Sequence, residues 1–222
     1  MILDNSGCKN IELVSVIVNF GLGSKIIHRA KREGIFGGTV LLCKGTVNNK
    51  ILGFFGLTDV RKEIVLMVGE TDKAYKALEK LNEEFKFEKP NHGIAFATSL
   101  SNVLGTRSCK INNIEERGVD NIMYQVITVI VDKGKAEDVM DAATKAGSKG
   151  GTIINGRGSG VHETSKLFAM EIEPEKEIII ILSKTEDTDK IVASIKDEMK
   201  INEPGNGIIY TQEINKAYGL YE

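Results

Sequence analysis

Hydrophobic residues recur along this chain with two alternating periods. Runs rich in Val and Ile predict strands, and longer stretches with an apolar residue at every third or fourth position predict amphipathic helices. Ser24 stands where it can cap the first helix, and Gly34 stands where that helix can end. The elements predicted in the first half are a strand at Leu13–Phe20, a helix from Ser24 to about Glu33, strands at Thr39–Cys43 and Glu63–Val68, a helix from Asp72 to about Phe87 and a strand at His92–Ser99.

The second half of the chain repeats the first. Three segments recur in the same order at a spacing of 113 or 114 positions, so we infer a tandem duplication and speak of repeat 1 and repeat 2. The matched segments are Gly34–Val40 with Gly147–Ile153, Lys62–Val65 with Lys176–Ile179, and Pro90–Ile94 with Pro204–Ile208. The elements predicted in repeat 2 are strands at Tyr124–Val131, Thr152–Asn155, Glu177–Leu182 and Gly207–Thr211, with helices at Lys135–Ala146 and Asp187–Lys200.

The order of elements in each repeat is β-α-β-β-α-β, which is that of the ferredoxin-like fold. We therefore predict an α+β protein of two tandem ferredoxin-like domains, each with an antiparallel sheet. The predicted limits are residues 1–112 for the first domain, whose loops have diverged, and residues 120–222 for the second. The polar stretch Lys110–Asn121 is expected to link them.

One predicted strand is apolar on both of its sides. Residues Ile178–Leu182 form an unbroken apolar run, whereas a strand covered on one face only should alternate with polar residues. The open face of a sheet of this size needs a cover. We therefore expect the sister domain or other copies of the chain to bury it, and predict a homo-oligomer.

Composition narrows the function. The 222 residues are 41% hydrophobic and 27% charged with a net charge of −2, which predicts neither nucleic-acid binding nor attraction to anionic membranes. Cys8, Cys43 and Cys109 are scattered and odd in number, as is typical of a reducing compartment. No apolar run is long enough to insert into a membrane, and no signal peptide precedes the first strand. These features predict a cytoplasmic protein.

A glycine-rich stretch in repeat 2 is the best candidate site. Residues Gly150–Gly160 contain Gly156, Arg157 and Gly158, and Lys166 follows a few positions later. Glycine backbone beside a basic side chain can hold an anion such as phosphate, although a plain hairpin loop has the same composition. No catalytic motif and no metal-ligand spacing accompany it, so we predict neither an enzyme nor a metal site.

Three segments of repeat 2 together resemble the PII nitrogen-regulatory and PII-like signalling proteins. They are Gly147–Thr152 leading into the glycine-rich loop, Glu173–Ile181, and Glu203–Tyr210. The resemblance covers almost all of repeat 2 and, more weakly, repeat 1. It implies a ferredoxin-like fold, a trimer packed around a three-fold axis, and ATP or ADP bound in clefts between subunits or domains as an effector. It also implies control of a partner, either a metabolic enzyme or a membrane transporter, through a loop.

The same resemblance assigns the site. Residues Gly156 to about Phe168 correspond to the partner-binding T-loop, and Glu203–Gly207 to the B-loop that contacts phosphates. The nucleotide-binding residues it implies are Thr152, Gly156, Arg157, Gly158, Gly205, Asn206 and Gly207; we add Lys166, which could replace a missing lysine.

The sequence also departs from the family pattern. Ile208 stands where the B-loop of typical members has a phosphate-binding lysine, and the T-loop lacks a long basic, tyrosine-bearing segment. A different effector therefore stays open. Two further alternatives are a metal-binding protein similar to CutA, and an effector-free structural oligomer.

Overall fold

The computed structural model describes residues 10–35, 37–47, 59–100, 103, 123–158, 165–167, 170–172 and 174–220. The elements of repeat 1 are β1 (Ile11–Asn19), α1 (Gly23–Lys31), β2 (Thr39–Val47), β3 (Asp59–Glu70), α2 (Thr71–Phe85) and β4 (Ile94–Leu100). Those of repeat 2 are β5 (Tyr124–Asp132), α3 (Ala136–Lys145), β6 (Gly150–Arg157), β7 (Ser165–Leu167), β8 (Met170–Ile172), β9 (Glu175–Lys184), α4 (Thr185–Glu198), β10 (Ile208–Glu213) and β11 (Lys216–Tyr218).

Strand order confirms the predicted fold class. The main strands of repeat 2 lie in the order β10-β5-β9-β6, and those of repeat 1 in the order β4-β1-β3-β2. Both are the fourth-first-third-second order of a ferredoxin-like sheet. The outer pairs are antiparallel and in equivalent register, since Ile17 lies opposite Ile94 in repeat 1 and Ile130 opposite Ile208 in repeat 2. The duplication therefore extends from the sequence to the pairing of strands.

The chain divides into two compact units. Unit 1 comprises Met1–Leu41, Glu63–Ile122 and Ile214–Glu222, and unit 2 comprises Leu42–Lys62 and Met123–Glu213. The units thus differ from the predicted domain limits by two exchanged segments. In unit 2, residues Cys43–Val47 of β2 pair with β6, and in unit 1, β11 pairs with β4. The predicted linker lies outside the described residues.

Each unit has its own hydrophobic core between its helices and one face of its sheet. The helical spacing of the sequence is the cause, because it places the apolar residues of each helix on a single stripe. In unit 1 the core includes Val14, Val16, Val18, Ile26, Ala30, Val65, Met67, Ala74, Ala77, Leu78 and Leu81. In unit 2 it includes Ile127, Val129, Val131, Val139, Met140, Ala143, Ile153, Ile179, Ile181, Ile191 and Ile195.

The second face of each sheet is only partly covered. The central strands are buried on both faces, because Ser15 and Ile17 of β1 and Thr128 of β5 are buried on the side away from the helices. On β9 the same face is half-exposed at Ile178 and Ile180. The expectation that a further copy covers this face stays a prediction.

The hydrogen bonds at the start of the first helix in each repeat differ from those predicted from the sequence. Ser24 does not cap α1, because Leu22 occupies the cap position, and the side chain of Leu22 makes no capping hydrogen bond. A carboxylate from the third strand takes over this role: Glu63 Oε2 accepts a hydrogen bond from the Gly23 amide at 2.6 Å. Glu177 does the same in repeat 2, where its Oε2 accepts from the amides of Gly134 at 3.0 Å and Ala136 at 2.9 Å. The Lys-Glu-Ile segment therefore recurs for a structural reason: in both repeats its Glu accepts hydrogen bonds from amides at the start of the first helix.

Three short strands were not predicted. The strands β7 and β8 form an antiparallel pair that begins within the segment assigned to the T-loop and ends just beyond it. The short strand β11 follows β10 and completes the sheet of unit 1. Among the described residues, no helix combines the length and the apolar character that crossing a bilayer requires.

Candidate functional site

The candidate site residues Gly156 and Arg157 lie on a strand and not in a loop. Gly156 pairs with Lys176 and Arg157 with Glu175 across β6 and β9, so β6 continues two residues past its predicted end. The amide of Gly158 donates to the carbonyl of Pro174 at 3.1 Å, and this hydrogen bond lies just beyond the last residue pair of the two strands. The predicted T-loop limit at Gly156 is therefore wrong, because cross-strand pairing holds this residue and the next in the sheet.

Opposite charges alternate at this end of the sheet. Lys176 Nζ lies 2.5 Å from Asp132 Oδ1, and Lys133 Nζ lies 2.5 Å from Glu175 Oε2. The hydrogen bond from Lys133, with a smaller contribution from Arg157, holds the pKa of Glu175 below its usual value. Because neighbouring residues of a strand point to opposite faces, Arg157, Glu175 and Lys133 lie on one face of the sheet, and Lys176 and Asp132 lie on the other. An anion on the first face would meet Arg157 and Lys133, and an anion on the second face would meet Lys176.

The B-loop is a tight turn that precedes β10. The side-chain amide of Asn206 donates to the carbonyl of Lys200 at 3.1 Å and to Glu203 Oε2 at 3.3 Å. Gly207 has φ of +130°, and a Cβ added to it would lie 2.4 Å from the carbonyl oxygen of Ile130. Ile208, at the position of the family lysine, is 53% exposed. The loop is thus held by its own polar groups, and an apolar side chain projects beside it.

The two halves of the candidate site lie at the same end of the sheet but on different strands. At this end of the sheet, Asp132 lies opposite Lys176, and Lys176 lies opposite Gly156. The B-loop residue Gly207 lies at the same end, just beyond the pair formed by Ile208 and Ile130. The strands β5 and β9 separate β10 from β6. Three interstrand spacings of roughly 4.8 Å place the two halves about 14 Å apart.

The other two predicted residues do not join this group directly. Thr152 is buried and lies between Ile180 of β9 and Gly45 of β2. It precedes Gly156 by four strand positions, or about 13 Å. Lys166 lies on β7 opposite Glu171, and its side chain is outside the described part of the structure.

Lys176 was not among the predicted site residues, because in the sequence it stands out only as part of the segment Lys176–Ile179 that both repeats share. Its side chain lies beside Gly158, since a Cβ on that glycine would lie 3.7 Å from Lys176 Cγ. Repeat 1 has the same arrangement, in which a Cβ on Gly45 would lie 3.2 Å from Lys62 Cγ. Burial lowers the pKa of Lys62. A basic residue followed by glycine, matched by a lysine in the third strand, is the signal that could have identified both.

Two other candidate side chains, those of His92 and Cys43, lie in positions that the fold itself explains. His92 Nδ1 lies 2.9 Å from the carbonyl oxygen of Phe85 and closes the turn before β4. Cys43 is buried and forms no disulfide. In the ranges that the structure describes, no three His, Cys, Asp or Glu side chains are grouped so that they could hold a metal ion. His162 lies outside those ranges.

Comparison with known proteins finds a relative and two solved structures that each match less than half of this chain. A GlnB-like protein of the nitrogen fixation nifHD region of Methanothermococcus thermolithotrophicus is 30% identical over 99 residues, which are 43% of this chain and 92% of that protein. Two structures of B. subtilis GlnK align as well. The GlnK–ATP complex is 17% identical over 44% of this chain and 96% of its own, with a TM-score of 0.33. The other GlnK structure is 20% identical over 42% and 86%, with a TM-score of 0.32.

The family model of the Nitrogen regulatory protein P-II matches residues 124–221, which include the B-loop and the strand end at Arg157. Proteins of that family are signalling regulators and not enzymes. They are typically trimers that regulate enzymes or transporters. Because the GlnB-like relative is matched over nearly its whole length, this chain belongs to the PII family.

Proposed function

We propose that this protein is a signal-transduction regulator of the nitrogen-metabolism type that binds a small anionic effector at the end of the unit 2 sheet. An adenine nucleotide, ATP or ADP, is the first candidate. The observation that carries the proposal is the pair of basic side chains Arg157 and Lys133 on one face of the glycine-bearing strand end Gly156–Gly158, with Lys176 on the other face. Neither a plain hairpin nor a structural oligomer requires these basic side chains there.

Phosphate chemistry fits this surface. Guanidinium and ammonium groups form short, charge-assisted hydrogen bonds with phosphate oxygens. At Gly158 the backbone has no side chain of its own, and Lys176 lies alongside it, so that a ligand can approach both. Asp132 and Glu175 now neutralise the two lysines, and we expect a bound phosphate to replace them as the partner of at least one.

The separation of about 14 Å between the strand end and the B-loop favours a site shared between subunits. One subunit would supply Arg157, Gly156 and Gly158, and the neighbouring subunit would supply Gly205, Asn206 and Gly207. Thr152, buried in the sheet, would support this cleft, and Lys166 would reach the phosphates from the loop. Proteins of the family are typically trimers, and this supports a site shared between subunits.

The segment between β6 and β9 would transmit the signal. It begins at the pair formed by Gly158 and Pro174, directly beside the proposed phosphate site. A ligand that contacts one loop conformation better than another shifts the population toward it, by as much as its two affinities differ. A partner enzyme or membrane transporter would then bind one of these conformations.

Isothermal titration with ATP, ADP and AMP tests the proposal. We expect binding by at least one of them at submillimolar concentration. Arg157→Ala should weaken it by about tenfold or more, since a hydrogen bond to a charged group contributes roughly 1.5–3 kcal/mol. Lys149→Ala is the matched control, because this exposed lysine precedes the opposite end of β6 and should leave the affinity unchanged.

The absence of heat for all three nucleotides at millimolar concentration would exclude the nucleotide as effector. Equal affinities of the wild type and the Arg157→Ala protein would remove the strand end from the site.

A further inference from the structure

The turn before the fourth strand has the same shape in both repeats. It spans residues 86–93 in repeat 1 and residues 200–207 in repeat 2, where it contains the B-loop. Positive φ recurs at the same three positions, which are Lys86, Asn91 and Gly93 in repeat 1 and Lys200, Gly205 and Gly207 in repeat 2. Because positive φ is uncommon for residues other than glycine, this recurrence shows that the two turns share one backbone conformation.

The strands that follow the two turns have different neighbours. In unit 1, β11 lies along the outer edge of β4, with Lys216 opposite Ala97 and Tyr218 opposite Ala95, and four successive residues of β4 are buried. In unit 2, β10 pairs only with β5 among the described residues, and five of its six residues are exposed. Residues 214–219, which we call the C-terminal segment, thus cover the fourth strand of unit 1.

The C-terminal segment also lies against the turn of repeat 1. Gly219 has φ of +80°, and a Cβ added to it would overlap the carbonyl oxygen of Gly93 and lie 3.1 Å from that of Phe87. The backbone of Gly219 therefore closely contacts both sides of the turn, and glycine is the residue that fits there. Phe87 is buried and Gly93 is half-buried, whereas their counterparts Ile201 and Gly207 are half-buried and exposed.

Side-chain contacts hold the C-terminal segment in this position. The side chain of Asn215 donates to Glu12 Oε2 at 2.9 Å, and Glu12 is fully buried. Lys216 Nζ lies 2.5 Å from Glu79 Oε1. Tyr218 packs against the hydrophobic core of unit 1. A ligand that approached the turn of repeat 1 from this side would have to displace a segment held by all three residues.

We propose that the C-terminal segment closes the turn of repeat 1 to effectors, so that each chain binds a single effector, through the B-loop of repeat 2. The inference rests on the proposed function, because it assigns the number of ligands at that same site and the unit that responds to them. A phosphate oxygen must come within about 3 Å of a backbone amide in order to bind it. At Gly93 the backbone of Gly219 fills the space beside the turn. Unit 2 therefore senses the effector, and the turn of unit 1 is a permanent part of the structure.

The wild-type protein gives the first test, because its two turns serve as controls for each other. Isothermal titration with whichever of ATP, ADP and AMP binds should give one ligand per chain. Hydrogen exchange followed by mass spectrometry should show that the ligand protects residues 203–208 and leaves residues 89–94 unchanged. Two ligands per chain, or protection of both turns, would overturn this inference and leave the proposed function intact. Binding of none of the three nucleotides would overturn both.

A glycine variant tests whether the C-terminal segment is the cover, without any ligand. Gly219→Ala should speed the hydrogen exchange of residues 93–97 by about tenfold or more, because the segment can no longer lie on β4. Gly21→Ala is the matched control and should leave this exchange unchanged, since Gly21 has φ of +89° but an added Cβ would have no described atom within 4 Å.

A second variant weakens the segment without changing its backbone. Lys216→Ala removes the ion pair with Glu79 and should speed exchange of the same residues by a smaller factor than Gly219→Ala does. Exchange of residues 93–97 that is equal in the wild type and in the Gly219→Ala protein would overturn the proposal, because the C-terminal segment would then not be what covers β4 and its turn.

Discussion

At the scale of single residues, the B-loop depends on the backbone of one glycine. Gly205 and Gly207 both have positive φ, but only at Gly207 would a side chain meet neighbouring atoms. The Gly207→Ala protein combines a left-handed backbone with a Cβ 2.4 Å from a carbonyl oxygen. We expect the free energy of unfolding to fall by about 2–4 kcal/mol, measured by urea denaturation.

Gly205→Ala is the matched control for this prediction. Its φ is +88° with nothing within 4 Å of the added Cβ, so the cost should be only about 1–2 kcal/mol. Equal losses for the two variants would show that crowding at Ile130 does not limit the loop.

The carboxylate of Glu177 serves the start of α3. Because it accepts hydrogen bonds from the amides of both Gly134 and Ala136, Glu177→Ala should lower the free energy of unfolding by about 1–2 kcal/mol. Glu137→Ala removes an exposed carboxylate from the first turn of the same helix and should cost less than about 1 kcal/mol. If chemical denaturation gives the same loss for both, the two amide contacts contribute nothing beyond the helix dipole.

At the scale of elements, most strands and helices follow from the sequence. The helix faces were predictable residue by residue, because periodicity encodes burial, and Ala74, Ala77, Leu78 and Leu81 are all buried as expected. Several strands are longer than the sequence predicted. The additional residues, such as Gly156 and Arg157, have no apolar pattern and are held in β6 by pairing with β9.

The strand β11 should depend on pH through its ion pair. The hydrogen bond from Lys216 holds the pKa of Glu79 below its usual value of 4.5. A lowered pKa in the folded state stabilises the protein above pH 4.5, and the contribution is lost as the pH falls through the lowered value. Burial lowers the pKa of Lys216, but the hydrogen bond to Glu79 and the neighbouring Tyr218 raise it by more, so the net shift is upward. Lys216 therefore stays charged across the acidic pH range in which Glu79 titrates.

The melting temperatures of the wild type and the Glu79→Gln protein, measured between pH 7 and about pH 3, test this dependence. The wild type should melt higher at neutral pH, and the difference should vanish on acidification. Glu198→Gln, at an exposed position of α4, should show no such convergence. A difference that persists at the acid end would mean that Glu79 acts through something other than its charge.

At the scale of the whole molecule, duplication has produced two units with different outer strands. Two features of unit 2 favour assembly. Ile178 and Ile180 are half-exposed, and β10 pairs only with β5 among the residues that the structure describes. We expect light scattering to give the mass of three chains of 24.3 kDa each at micromolar concentration. A mass that equals one chain at all concentrations would contradict this expectation.

The sequence by itself determined the duplication, the order of elements in each repeat, the helix faces and the family, because local periodicity and short motifs carry this information. It placed Arg157 in a loop and did not identify Lys176 or the carboxylates of Glu63 and Glu177. Only the tertiary structure decided these roles and the position of β11, because they depend on contacts between residues far apart in the chain. Lys216 and Glu79 are separated by 137 positions, and Asn215 and Glu12 by 203. No local pattern encodes such a contact; it follows from the way the strands are ordered in the folded sheet.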